Sequence, residues 1–159
     1  MSDIVGIAHY SIPVTDVQRS RDFYVNVVGC KHLFSTPKGH MSFIDAGGVC
    51  LILVKQSEPV NPVLHNSEGV HHSFTIAPGQ FEGAIARLKA HGVEVIGEED
   101  RQGGVVNGPR VYFRDPDAHF LYIIRFPPGK VDPKCHRESD RPLVRARQRC
   151  DSLSASCPE

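Results

Sequence analysis

Two short stretches carry nearly the same pattern, and together they restrict the chain to a duplicated fold. One is Ile7-Ala8-His9-Tyr10-Ser11-Ile12-Pro13-Val14; the other is Val70-His71-His72-Ser73-Phe74-Thr75-Ile76. Their β-branched and aromatic residues suit a pleated strand, whose side chains alternate between faces. His9 and Ser11 then share one face of the first strand, opposite Tyr10, Ile12 and Val14. His71, Ser73 and Thr75 share one face of the second, opposite His72, Phe74 and Ile76. Each strand has a polar face suited to a wet pocket and a mostly apolar face suited to a helix. An imidazole near the start of each polar face suggests a site between the two copies.

The segments after the two strands are also alike. Thr15 or Asp16 offers a side-chain oxygen to cap a helix. Val17, Ser20, Phe23, Tyr24, Val27 and Val28 form a stripe at helical spacing, and Gly29 is a natural stop. In the second copy the helix is expected around Phe81, Ile85 and Leu88, ending at Gly92. Gly29 lies 20 positions after His9, and Gly92 lies 21 after His71. Three strands are expected after each helix. In the first copy they are Cys30–Ser35, Met41–Ala46 and Val49–Lys55, with Gly47-Gly48 as a hairpin signal. In the second they are Val93–Gly97, Arg110–Arg114 and His119–Phe126, with a turn at Asp115-Pro116-Asp117-Ala118. The stretch Glu98–Pro109, with three glycines, reads as an irregular loop beside the pocket.

The layout is βαβββ repeated, an α+β fold of paired modules forming a curved mixed sheet around a concave metal or ligand cavity. One domain covers residues 1–126, with module one at 4–56 and module two at 69–126. Ser57–Ser67, with Pro59 and Pro62, reads as the linker. Residues 127–159 carry five prolines, seven Lys/Arg, five Asp/Glu and little apolar periodicity, which predicts a loosely attached tail.

A formal net charge of zero excludes a global attraction to nucleic acid or anionic membrane. No apolar run approaches the roughly 18 residues of a membrane span, and Met1-Ser2-Asp3-Ile4 lacks the layout of a signal peptide. Five widely spaced cysteines form no disulfide framework, which points to a reducing cytoplasm.

The repeat and its punctuation resemble the vicinal oxygen chelate superfamily of glyoxalases, fosfomycin- and bleomycin-resistance proteins and extradiol dioxygenases. The matching residues are His9 through Asp16, Phe23-Tyr24, Val28-Gly29, His71 through Ile76, and Tyr112 through His119. The resemblance spans about residues 4–126. It implies that His9 and His71 bind a divalent metal, Fe²⁺, Mn²⁺ or Zn²⁺. His71 is preferred over His72 because Phe74 lies three positions beyond it, as in the family pattern. The third ligand of the family is a Glu in the final strand, and Tyr122 stands there instead. A phenol must lose a proton to become an anionic ligand, so Tyr122 is either a metal ligand or a lining residue of an organic-ligand pocket. The glyoxalase I pattern also needs a Glu in the strand Val49–Val54, which has no carboxylate. Tyr112 has the parity of a pocket residue that hydrogen-bonds a substrate, and equally reads as a core tyrosine.

His72 reads as a packed or capping residue, His119 as structural or surface-exposed, and His32, His40, His65 and His91 as surface residues. Arg114 and Arg125 read first as exposed arginines, with neutralisation of an anionic ligand as the second reading. The resemblance implies a small metalloenzyme, dioxygenase-like or lyase-like, acting on a small oxygenated organic substrate. Its alternative is a metal-free protein of the bleomycin-resistance type that sequesters an aromatic or drug-like ligand. A homodimer is expected, since family members usually cover the sheet edges with a second chain. Ending the chain after Phe126 should change the thermal unfolding midpoint little. Insoluble protein on truncation would show that the tail packs on the core.

Overall fold

The computed structural model describes residues 6–57, 70–77, 79–103 and 106–126. The expected linker beyond Ser57 and the expected tail lie outside these residues. Module one runs β1 (His9–Val14), α1 (Val17–Phe23), β2 (Lys31–Ser35), β3 (Met41–Asp45) and β4 (Cys50–Lys55). Module two runs β5 (His71–Thr75), α2 (Phe81–Ala90), β6 (Gly97–Arg101), β7 (Gly108–Arg114) and β8 (Phe120–Ile124). Each module folds into its own four-stranded mixed sheet, ordered β1-β4-β3-β2 and β5-β8-β7-β6. The first strand pairs parallel with the last, and the other two pairings are antiparallel.

Asp16 caps α1, its side chain accepting from the Arg19 amide at 3.0 Å. The helix then widens into a π-helical turn over Tyr24–Val28 before Gly29 stops it with φ +96°. That left-handed conformation favours glycine. A Cβ at Gly29 would also meet Arg87 Nη2 at 2.9 Å. Arg87 has to stay: its Nε donates to the Val27 carbonyl at 2.8 Å and its Nη2 to that of Val28 at 3.1 Å. An arginine of α2 thereby satisfies carbonyls left open at the end of α1.

The inward faces of both sheets and both helices share one core. Ile12, Val14, Phe23, Tyr24, Ile44, Leu51 and Leu53 of module one join Phe81, Leu88, Val111, Phe113, Leu121 and Ile123 of module two. The alternation expected for the second histidine strand is present: His71, Ser73 and Thr75 are exposed, His72 and Phe74 half-buried.

One expectation fails. The strand at Val93–Gly97 and the loop at Glu98–Pro109 are displaced: β6 occupies Gly97–Arg101, and β7 starts at Gly108. Val93 and Val95 pack against the core as an extended connector, without a ladder of their own. Glu98-Glu99-Asp100-Arg101 shows no apolar alternation because it is an edge strand, where charge discourages further pairing.

The turn between β7 and β8 joins the modules. Asp115 is buried, and its Oδ1 accepts from the amides of Asp117 at 2.9 Å and His119 at 2.8 Å. Its Oδ2 accepts from Tyr24 Oη at 2.9 Å and bonds His119 Nδ1 at 2.8 Å. Ala118 takes φ +66°, a conformation that L residues rarely hold without such bracing. Asp117 crosses to the β1–α1 corner. It accepts from the Thr15 amide and hydroxyl, from Arg19 Nη2 at 2.8 Å and from Ser20 Oγ at 3.1 Å.

Burial alone would raise the pKa of Asp117, but hydrogen bonds from Thr15 and Ser20 and the Arg19 charge hold it below the ordinary carboxylate value. A group depressed on folding stabilises above its unfolded pKa, and that stability is lost as pH falls through the folded value. Asp117→Ala should therefore cost about 2 kcal/mol at neutral pH. It should also flatten the fall in melting temperature that the wild type shows below about pH 4. Thermal denaturation across pH checks both, and unchanged curves would remove Asp117 from the junction.

Candidate functional site

The outward face of module two forms the site. Along β7, residues Arg110, Tyr112 and Arg114 alternate onto this face, while Val111 and Phe113 enter the core. Along β8, Phe120 and Tyr122 point the same way. In the strand register Tyr122 lies between Ser73 of β5 and Tyr112 of β7. An open cavity of about 1030 Å³ covers this face, with His71, Glu99, Arg101, Arg110, Tyr112, Arg114, Phe120 and Tyr122 among its walls.

Tyr122 is buried at the centre of a cluster of planar groups. Its ring lies 5.5 Å from that of His71 and 5.3 Å from that of Tyr112, and the Arg110 guanidinium stands 5.1 Å over it. Tyr112 stacks on Phe120 at 5.4 Å, and the Arg114 guanidinium covers Phe120 at 5.5 Å. Cation–π and offset-stacked pairs at these distances hold aromatic rings in fixed orientations. Tyr112 Oη donates to Glu99 Oε1 at 2.8 Å. Burial, then this bond, raises the Tyr112 pKa, with Arg110 opposing, so its hydroxyl stays protonated at neutral pH.

Arg110 is 3% exposed. Its Nη2 donates to the Val106 carbonyl at 2.8 Å. Its Nε lies 3.5 Å from Glu99 Oε1 and makes no hydrogen bond among the described residues. Sequence reasoning misses Arg110 and Glu99. Parity along β7 is a usable signal for Arg110, because it falls in step with Tyr112 and Arg114. Glu99 has no such signal, since the β6 segment reads as a loop.

The expected site residues fall into two groups. His71, Tyr112 and Tyr122 come together in this cavity. His9 does not: it lies exposed on β1, at the open face of the other sheet, and is not among the cavity walls. His9 and the three cavity residues thus sit on different sheets. Cys50 is the register partner of His9 and Asp45 that of Cys50, so these three cross module one in a row. Among the described residues no three His, Cys, Asp or Glu gather closely enough to hold a metal.

His72 is a packing residue, stacked on Tyr10 at 5.4 Å. Burial, then the neighbouring His119, lowers its pKa, which keeps the stacked ring neutral near pH 7. Burial and then Asp45 push the Cys30 thiol up to about 12, so it supplies no nucleophile at neutral pH. Arg125 lies over the Phe81 ring rather than among the cavity walls.

Duplicated βαβββ modules with an open, histidine-bearing sheet face define the glyoxalase class of fold. The chain belongs to the Glyoxalase/Bleomycin resistance protein/Dioxygenase superfamily, whose family model matches residues 6–122. It is 30% identical over 118 residues to the metallothiol transferase FosB of Lysinibacillus sphaericus, covering 73% of this chain and 79% of that protein. It is 29% identical over 119 residues to the glutathione transferase FosA of Serratia marcescens, covering 74% and 79%. Among solved structures, a glyoxalase/dioxygenase from Nostoc punctiforme superposes with a TM-score of 0.63 at 26% identity, covering 77% of this chain and 91% of that one. The fosfomycin resistance protein FosX of Listeria monocytogenes, complexed with Mn(II) and a dihydroxypropylphosphonic acid, superposes with a TM-score of 0.64 at 22% identity. It covers 78% of this chain and 94% of that one, and it shares the fold.

Proposed function

We propose that the chain is a small metal-dependent enzyme of the glyoxalase type, acting on a small oxygenated organic compound, with a site completed across a homodimer. One observation carries this reading. His71 and Tyr122 stand side by side in the cavity of module two, while His9 lies on the open face of module one. Among the described residues of one chain no three His, Cys, Asp or Glu gather to hold a divalent cation. His9 of a second copy would add an imidazole to His71 and Tyr122.

Two further features support pairing. Leu33 and Phe34, adjacent on β2, are 45% and 54% exposed and offer apolar surface that a second chain would cover. The core faces of both sheets are already used up against each other, so only the open faces remain for a partner.

A bound divalent cation would supply Lewis-acid chemistry at vicinal substrate oxygens. The chain's own residues would orient the substrate: Tyr112 through its hydroxyl, and Tyr122 as a ring locked by three neighbours. The names of the curated relatives support group transfer ahead of the dioxygenase-like or lyase-like reaction that the resemblance implies. Among the described residues no helix is long and apolar enough to cross a membrane. With the cysteine usage, that supports a cytoplasmic setting.

The second reading is metal-free binding of an aromatic or drug-like ligand. Its support is specific: a phenol replaces the family carboxylate at position 122, and a guanidinium covers that phenol.

Complementation separates the readings. His9→Ala and His71→Ala should each abolish Mn²⁺ uptake, measured by calorimetry on untagged protein. Co-expressing the two variants should restore uptake in about one quarter of the sites, since half the dimers are mixed and each mixed dimer keeps one intact site. No restoration would show that each site is built within one chain. No uptake by the wild type would favour the metal-free reading.

Tyr122→Glu should restore two His and one carboxylate and bind Mn²⁺ at least about tenfold more tightly, roughly 1.4 kcal/mol. Calorimetric titration of both proteins checks it. Equal affinities would mean that position 122 does not contribute to the metal site.

A further inference from the structure

The charge in the module-two cavity is unbalanced. Among the described residues, Arg101, Arg110 and Arg114 line it with His71, against the single carboxylate of Glu99. The most buried of these cations keeps one donor without a hydrogen bond. The Arg110 side chain is 3% exposed, and its Nε has no hydrogen bond among the described residues. Leaving a buried charged donor unmade is costly unless something else takes the place. Glu99 takes it only in part. Its Oε1 accepts fully from Tyr112 Oη at 2.8 Å but stands 3.5 Å from Arg110 Nε.

We propose that Glu99 is an internal stand-in for the anionic group of the ligand. A carboxylate or phosphonate of a small organic molecule would displace it, accepting from Tyr112 Oη and Arg110 Nε together. The inference rests on the reading that this cavity is the ligand site, and it names the chemical class the cavity takes.

The surroundings suit an exchange of this kind. Glu99 sits on edge strand β6, and its side chain is 47% exposed, so it can swing into water at little cost. Arg110 cannot follow it: the Val106 carbonyl and the Tyr122 ring hold it in place. The donors are therefore fixed while the competing acceptor is free to leave. Charged hydrogen bonds to a preformed guanidinium are among the strongest available to an oxyanion. The stacked rings of Tyr112, Phe120 and Tyr122 beside it offer an apolar wall for the rest of the ligand.

The competition also sets specificity. A neutral ligand gains nothing by displacing a carboxylate already bonded to Tyr112. A ligand anion replaces one charge with another and gains the hydrogen bond to Nε that Glu99 leaves unmade.

The test uses the full-length protein treated with a chelator, with benzoate and phenylphosphonate as probes in calorimetric titration. Glu99→Gln keeps the shape and an acceptor for Tyr112 but removes the competing charge. It should bind at least one probe about tenfold more tightly than wild type. Glu99→Gln combined with Tyr112→Phe should lose most of that gain, because one of the two donors is gone. Benzyl alcohol should show no difference between wild type and Glu99→Gln. Equal affinity of wild type and Glu99→Gln for both anions would overturn the inference, as would an equal gain for benzyl alcohol. No metal takes part, so the inference stands or falls separately from the His9 and His71 complementation.

Discussion

The pair of aspartates in the β7–β8 turn holds this structure together. Asp115 closes its own turn through two amides and reaches Tyr24 of module one with its other oxygen. Asp117 takes the hydroxyls of Thr15 and Ser20 and the guanidinium of Arg19. Both carboxylates are almost wholly removed from water, at 0% and 4% side-chain exposure. Buried carboxylates are tolerated only when their oxygens are fully bonded, and here the bonds come from both modules. Arg87 returns the contact from α2 to the end of α1. The two repeats are thus locked by polar contacts at the rim of an apolar core.

That locking has a consequence for chemistry. Because the helices and core faces are committed to one another, each sheet turns its histidine face outward. His9 and His71 occupy equivalent places in the repeat, yet the fold keeps them on different open faces. In the reading proposed above, duplication within one chain supplies two halves of a site rather than a whole one. A second copy is the simplest object that carries the missing half, since any surface of this chain is present on it by symmetry.

The cavity of module two departs from a metal-binding carboxylate site in a coordinated way. Where the family pattern has a Glu, Tyr122 stands under a guanidinium and between two further rings. A carboxylate there would meet Arg110 as an ion pair; a phenol instead offers its ring face to the cation. Tyr122 and Arg110 are matched to each other by contact, and Glu99 completes the set from the edge strand. The exposed β6 edge makes that third member the easiest to displace.

The fold is legible in the sequence because strand alternation and helical spacing are local. His9 and Tyr10, or His71 and His72, must face opposite ways whatever surrounds them, and Gly29 ends a helix by its own backbone freedom. The same local rule puts Tyr112 and Tyr122 on the site face, and applied to Arg110 it puts that residue there too. What alternation does not report is which faces of separate sheets meet. Whether His9 joins His71 depends on how two modules pack, a matter of side chains about a hundred positions apart, such as Thr15 and Asp117. β6 escapes for a related reason: a charged edge strand has no apolar face of its own, and only its ladder with β7 makes it a strand. The sequence by itself determined the modules and the residues each sheet turns outward. Only the tertiary structure decided that Arg110, Tyr122 and Glu99 stand together, because their contacts join residues of three different strands.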